Sequence, residues 1–296
     1  MKYSSELTVI VPVYNELEGL PSFAPRIIEY CLARNWQLIF INDGSEDDSG
    51  KYLEGICSDS RVKVLHHKIN RGYGRAIKTG ISNATTPYLV TIDSDGQHEI
   101  SDVQEIFNFA LANNADMVVG DRGAKVNRDI YRALGKRIIH AFTRILMPLP
   151  IHDLNSGFKF YRADLALRYQ RVCPDAMSFS DVITLVFIHQ RSLVLQYPIQ
   201  TNPRKSGKST INTYTAAQTV LEILNIILMF NPLRIFLPLS FLFVFAGLTW
   251  GALVYMINGS GLSVGAMLSI VMGLILAVLG LLANQISSMR MERLEE

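Results

Sequence analysis

From Ile235 to Ile257, and again from Leu262 to Ile286, the chain carries no charged residue. Each run is close to the ~20 residues that a helix needs to cross the hydrocarbon core of a bilayer. Two membrane-spanning helices are therefore predicted as a hairpin over 234–288, joined by the short polar "NGSGL" and followed by a tail at 289–296. Arg234 precedes the first run, and Arg290 and Arg293 follow the second, so the positive-inside rule puts both outer flanks and everything N-terminal to them on the cytoplasmic side. A helical hairpin buried in a soluble core is the competing reading, and it would leave too little polar surface to face water. Pro238 is compatible with the first span because a proline near a helix start removes little hydrogen bonding.

The rest of the chain has a different rhythm. "LTVIVPV" (Leu7–Val13), "QLIFIN" (Gln37–Asn42), "VKVLHH" (Val62–His67), "YLVTID" (Tyr88–Asp93) and "DMVVG" (Asp116–Gly120) are short β-branched runs separated by helical stretches. That order predicts an α/β domain over 1–210 with a mostly parallel sheet and crossover helices. Ligands of such sheets bind beyond the carboxyl ends of the strands. Polar clusters fall there: "YNE", "NDGSEDDS", "NRGYGRA" and "DSDGQH" follow the first four strands. A formal net charge of +2 is too small to argue for nucleic acid. Cys31, Cys57 and Cys173 fit neither a disulfide framework nor a zinc spacing and read as free thiols of a reducing compartment. No long apolar run precedes the first charges and prolines of "MKYSSELTVIVPVYNE", so a cleaved secretion signal is not expected.

Asp93, Asp95 and Gln97 alternate in an extended segment, so two carboxylates and an amide oxygen can face one hard cation such as Mg²⁺ or Mn²⁺. An EF-hand calcium loop starting at Asp93 requires glycine at its sixth position and glutamate at its twelfth; His98 and Gln104 stand there. A solvated acidic turn that caps the next helix would explain the same letters. The neighbouring loops add what a nucleotide diphosphate needs, namely a hydrogen-bonding acid at Asp43, a small-residue turn at Gly44 and Ser45, and cationic Arg71 and Arg75. "RGYGRAIKTG" is not a dinucleotide fingerprint, since Ile77 breaks its glycine pattern, and "GSEDDSGK" lacks the spacing of a nucleoside-triphosphatase loop.

In order over roughly 120 residues, "VIVPVYNE", "INDGSEDDS", "NRGYGRAIKTGI" and "DSDGQH" resemble glycosyltransferase family 2, whose members have a GT-A nucleotide-diphospho-sugar transferase fold. The downstream "DLNSGFKFYR" and "RKSGKST", followed by membrane segments, are similar to the polyprenyl-phosphate glycosyltransferase subgroup, the dolichyl-phosphate mannose synthase-like enzymes with two C-terminal transmembrane helices. The resemblance implies an inverting enzyme that moves one sugar from a UDP- or GDP-sugar to undecaprenyl or dolichyl phosphate. Its setting would be the cytoplasmic face of the cell inner membrane or the ER membrane, with Mg²⁺ or Mn²⁺ as cofactor. It implies a bilayer as partner, no nucleic acid, and leaves a homo-oligomer open.

By the same resemblance, Pro12, Tyr14, Glu16 and Asp43 match positions that contact the nucleoside, with Asp43 accepting from the base. Asp93 matches an aspartate near the ribose and metal, and Asp95 and Gln97 match the direct metal ligands. Arg122 and Arg132 are similar in position to arginines that hold the acceptor phosphate; Arg204 and Ser209 match an arginine and a serine close to the donor diphosphate. Catalysis is thereby implied for Asp93, Asp95 and Arg204. The family usually follows that serine with a lysine; Thr210 stands there, with Lys208 as the alternative source of charge.

A long-chain lipid substrate also accounts for "IYRALGKRIIHAFTRILMPLP" (130–150) and the segment at 211–233, which read as amphipathic helices at the membrane surface, although packing on the sheet is the alternative. "FNPL" then marks the bend from surface helix to span. His66 and His67 read as structural, and His98 is ambiguous. Asp153 and Ser156–Phe158 shape the acceptor side or a turn, and Asp181 is an acceptor-side acid or a helix cap. Two other functions compete: a noncatalytic membrane module that binds nucleotide sugar or lipid, and a polysaccharide synthase. The first would be expected to lose Asp95, Gln97 or Arg204; the second usually carries "QxxRW" and more spans. The donor sugar and nucleotide stay open, because Asp43 can serve uracil or guanine and a sequence does not place the side chains that read a sugar's hydroxyls.

Overall fold

The computed structural model describes residues 5–123, 151, 153–200, 228, 230–259 and 263–292. They fall into two units, one holding the described residues up to 200 and the other those from 228 onward. Arg132, Arg204, Lys208, Ser209, the 130–150 segment and most of 211–233 lie outside the described residues.

Unit one is a seven-stranded sheet with order β3-β2-β1-β4-β6-β5-β7. Its strands are β1 (Leu7–Val13), β2 (Gln37–Asn42), β3 (Val62–His66), β4 (Tyr88–Thr91), β5 (Met117–Asp121), β6 (Lys159–Arg162) and β7 (Val194–Pro198). The helices are α1 (Leu20–Ala33), α2 (Ser49–Ile56), α3 (Tyr73–Asn83), α4 (Asp102–Ala112), α5 (Ala163–Tyr169) and α6 (Phe179–His189). Every residue of β1 is buried, as expected of a central strand covered on both faces.

The five strands expected from β-branched runs are present, and two more complete the sheet. β6 enters antiparallel between β4 and β5, with Val90 opposite Phe160 and Val118 opposite Phe160 on the other side. β3 and β4 stop short of His67 and Asp93, so both side chains belong to loops, where they are free to turn toward the crevice. Pro12 is tolerated in a central strand for a local reason. Ile10 directs its carbonyl to Ile92 of the β4 side, and Pro12, two residues on, faces the same way after the β4 ladder has ended at Ile10.

Strand order reverses at β1: β2 and β3 lie on one side, β4 on the other. The crevice outside the carboxyl ends of β1 and β4 is therefore the switch point at which α/β sheets bind ligands.

Unit two is a helical hairpin, α7 (Leu233–Asn258, 26 residues) and α8 (Val264–Glu292, 29 residues). Both are long and apolar enough to cross a membrane. α7 begins two residues before the expected span, so Pro238 falls in its second turn rather than its first. Gly259, at φ +70°, ends α7 in the left-handed conformation that glycine adopts without strain. Few residues of the hairpin are buried, and most of those are small: Ser240 and Gly247 on α7, and Ala266, Gly273, Gly280 and Ser287 on α8. A Cβ at Gly247 would lie 2.8 Å from the Ala266 carbonyl, and one at Gly273 2.8 Å from the Ser240 carbonyl. The helices therefore approach backbone to backbone. Large side chains such as Phe241 and Trp250 point outward, 69% and 57% exposed. An ordinary core helix would bury these, whereas lipid is a fitting environment for them.

Candidate active site

The first two loops are stitched together by side chains. Asn15, at φ +52°, donates its backbone N–H to Ser45 Oγ at 3.0 Å and accepts from the Glu46 N–H at 2.8 Å. Asp47 accepts from the N–H groups of Leu17 and Ser49 at 3.1 and 3.0 Å; burial works against its charge, yet these hydrogen bonds carry its pKa below the usual value. The backbone N–H of Glu16 donates to Ser49 Oγ at 3.1 Å, and Tyr14 stands 42% exposed at the rim. Asp47 of "SEDDS" thus serves loop shape. Gly44 has to be glycine: at φ +67°, a Cβ there would lie 2.5 Å from the Asn70 backbone nitrogen.

Asp43, buried after β2, is the hub of this side. Its Oδ1 accepts from His67 Nδ1 at 2.5 Å and from the Arg71 N–H at 3.0 Å, and its Oδ2 accepts from the Gly72 N–H at 2.8 Å. His67 Nε2 lies 2.9 Å from Thr79 Oγ1 on α3. His67, read from sequence as a structural histidine, therefore orients a candidate base-binding carboxylate. The glycines of "RGYGRAIKTG" serve close packing. A Cβ at Gly72 or Gly74 would fall 2.6 Å from the carbonyls of Asp175 and Pro174, and Gly80 packs on Ile10.

Asp93 and Asp95 follow β4. Tyr73, from α3, donates to Asp93 Oδ1 at 3.1 Å. Burial first, and the charge of Asp95 second, raise the Asp93 carboxyl to about 6. Asp95 Oδ1 accepts from the Gln97 N–H at 3.1 Å across Gly96, whose φ is +70°, forming a tight turn. Among the described residues, no group of three or more His, Cys, Asp or Glu side chains gathers around one point. Asp95 and Gln97 offer two hard oxygens on one turn, a donor set that suits a divalent cation whose remaining ligands come from substrate oxygens and water. The mutual repulsion of Asp93 and Asp95 is a further fit, since a cation beside them relieves it.

Gly157 gains a reason that its sequence context did not show. A Cβ built there falls against both carboxylate oxygens of Asp93, 2.7 Å from Oδ1. Gly157→Ala is expected to push Asp93 out of place and lower sugar transfer about 10²-fold, with a much smaller change in the thermal unfolding midpoint. Steady-state transfer by the purified variant measures this.

On the far side, Arg122 is clamped by Asp153, with Nε to Oδ2 at 2.7 Å and Nη2 to Oδ1 at 2.8 Å. This bidentate pair raises the Arg122 pKa, and Asp153, although burial opposes it, is held below its usual value by Arg122. The expected acceptor arginine thus comes with a carboxylate already bound. Asp181 lies in the first turn of α6; Ser178 stands at the N-cap position and makes no side-chain capping bond. His98 is buried, stacked on Phe158 with centroids 5.2 Å apart, and lowered to about 4 by burial; its Nδ1 has no hydrogen-bond partner among the described residues.

Lys159 was missed from sequence. Fully buried on β6, its Nζ meets Leu154 O at 2.8 Å, Ser180 O at 2.5 Å, Ser180 Oγ at 2.7 Å and Thr184 Oγ1 at 2.8 Å. Burial lowers its pKa to about 7, although Asp181 and Asp153 favour its charge. The signal was a lone lysine among "FKFY", whose four residues are all buried. Cys31, Cys57 and Cys173 are free thiols, as read.

The fold and the carboxylate-lined crevice define a GT-A-type glycosyltransferase domain on a chain that also carries two membrane-length helices. Residues 8–169 match the model "Glycosyl transferase family 2", and residues 231–289 match "GtrB C-terminal hairpin". The chain belongs to glycosyl transferase family 2. Its named relatives are polyprenyl-phosphate sugar transferases. A dolichyl-phosphate beta-glucosyltransferase of Dictyostelium discoideum is 33% identical over 182 residues, 55% of this chain and 55% of that protein. A polyprenol monophosphomannose synthase of Mycolicibacterium smegmatis is 25% identical over 73% of this chain and 84% of its own length. An undecaprenyl-phosphate 4-deoxy-4-formamido-L-arabinose transferase of Pectobacterium atrosepticum is 25% identical over 77% and 69%. The chain spans only about half of the first of these relatives.

Among solved structures, glucosyl-3-phosphoglycerate synthase from Mycobacterium tuberculosis in complex with Mn²⁺, UDP-glucose and phosphoglyceric acid superposes with a TM-score of 0.59 at 16% identity, over 76% of this chain and 81% of that one. The same enzyme with Mg²⁺ and UDP gives 0.58 at 18%, over 76% and 80%. At such identities the likeness speaks for the fold.

Proposed function

We propose that this chain moves a single sugar from a nucleotide-diphospho-sugar to a polyprenyl phosphate at the cytoplasmic face of a membrane, making a lipid-linked sugar donor for glycan or protein modification. The observation that carries the reading is the paired carboxylates Asp93 and Asp95 at the switch point of the sheet, on a chain that ends in a membrane-length hairpin. The named relatives support the acceptor class, and Arg234 and Arg290 at the outer flanks of the hairpin support the orientation.

In this reading Asp43 and its loop receive the base, with Pro12, Tyr14 and Glu16 around the nucleoside. Asp95 and Gln97 would hold Mg²⁺ or Mn²⁺, which when bound supplies Lewis-acid stabilisation of the leaving diphosphate. Asp93, held by Tyr73 and seated against Gly157, stands beside that turn. Arg204 and Ser209 are assigned to the donor diphosphate, and Arg122 and Arg132 to the acceptor phosphate. The phosphate of a polyprenyl acceptor is already ionised near neutral pH, so the chain has to position and desolvate it, and no strong general base is required. Attack opposite the leaving group inverts the anomeric centre.

Membranes containing the protein, incubated with undecaprenyl or dolichyl phosphate, Mg²⁺ or Mn²⁺ and radiolabelled UDP- or GDP-sugars, are expected to yield an organic-extractable product of inverted configuration from one donor. No product from any donor would favour a noncatalytic binding module.

A further inference from the structure

The reading above leaves the base open between uracil and guanine, and the surroundings of Asp43 narrow it. Resting on that reading, we infer that the donor site selects a uridine diphosphate sugar and rejects guanosine diphosphate sugars, with His67 as the residue that sets the choice.

A carboxylate offers about four lone-pair directions. On Oδ1 of Asp43, two are taken, by His67 Nδ1 at 2.5 Å and by the Arg71 N–H at 3.0 Å. On Oδ2, one is taken by the Gly72 N–H at 2.8 Å, which is shared with Asn70 Oδ1 at 2.9 Å. Among the described residues this leaves one acceptor direction, on Oδ2. The tautomer of His67 follows from the chemistry: an ionised carboxylate only accepts, so Nδ1 carries the proton. Nε2 rests at 2.9 Å against Thr79 Oγ1, which fixes the ring against α3. His67 has 8% of its side chain exposed and Asp43 5%, so water has little room to take either partner's place.

Guanine presents N1–H and N2–H side by side, and a carboxylate satisfies both only when each oxygen has a free lone pair. Oδ1 has none to spare, so guanine would bury one donor without an acceptor. Cytosine and adenine set an unprotonated ring nitrogen beside their amino group, which brings a lone pair against the carboxylate. Uracil presents a single N3–H, the number that the site can accept. The carbonyls on either side of it suit a loop that carries the Arg71 guanidinium.

The test uses the purified full chain in detergent with MnCl₂ and measures the binding of UDP, GDP, CDP and ADP by calorimetry. UDP is expected to bind at least about tenfold more tightly than GDP. His67→Phe removes the donor from Oδ1 and is expected to shrink the UDP-to-GDP ratio, while His67→Asn, whose amide reaches as Nδ1 does, retains it. A role in stability alone would weaken both nucleotides equally and leave the ratio unmoved, which would overturn the part given to His67. If His67→Phe does not fold, the wild-type panel still decides the donor, and a ratio lost in a folded His67→Asn overturns the part given to His67. GDP binding as tightly as UDP in the wild type, with transfer from a GDP-sugar to polyprenyl phosphate, overturns the inference and keeps the proposed function. Binding of no nucleotide overturns both.

Discussion

Asp95→Ala is expected to abolish sugar transfer, a loss of about three orders of magnitude, while leaving the protein folded and membrane-inserted. The effect on chemistry is large because Asp95 supplies one of two protein oxygens assigned to the metal, and the charged one of the two. The effect on stability is small because Asp95 is only partly buried, and its bond from the Gln97 N–H is worth about 1 kcal/mol. Removing Asp95 also relieves the repulsion on Asp93. Organic-extractable label and thermal unfolding in detergent, measured on one preparation, separate the two effects. Full, EDTA-sensitive activity in the variant would remove Asp95 from the metal site.

Lys159→Met has the opposite profile, with stability lost first. The ammonium joins the Leu154 carbonyl to Ser180 and Thr184 on α6, and Ser180 Oγ in turn donates to Ser156 O at 2.7 Å. Methionine matches the stem but leaves the Leu154 carbonyl without that donor and strips Asp153 and Asp181 of a nearby positive charge. Breaking a buried charged network in this way costs about 3 kcal/mol or more. For a domain of this size that lowers the unfolding midpoint by on the order of 10 °C. A midpoint within about 2 °C of the wild type would show that the network contributes little to stability. Transfer is expected to fall as well, since Asp153, which grips Arg122, is next in the chain to the Leu154 carbonyl that Lys159 holds.

What could be read in the letters followed from period and from order. The β-branched runs located five strands, most plainly β1 and β2, where burial on both faces leaves a continuous apolar signature, and four polar loops located the crevice. β6 escaped because its residues, "KFYR", are few, begin with a lysine and follow directly on residues read as acceptor-side or turn positions. Partners distant in the chain escaped for a different reason. Asp43 and His67 are 24 residues apart, and Gly157 meets Asp93 only because β6 returns antiparallel beside β4. No periodicity encodes such meetings. The roles of His67 and Gly157 therefore appear once the sheet is assembled, whereas the turn at Asp95 and Gln97 is legible locally.

The small residues Ala266, Gly273, Gly280 and Ser287 recur at intervals of seven along α8. A repeat of that length makes sliding a stepwise affair: one helix can move along the other and find the same fit again only after a full repeat, about 10 Å of helix. Smaller displacements would drive bulky side chains into backbone that now touches backbone. The seven-residue spacing thus fixes the register in which α7 and α8 meet.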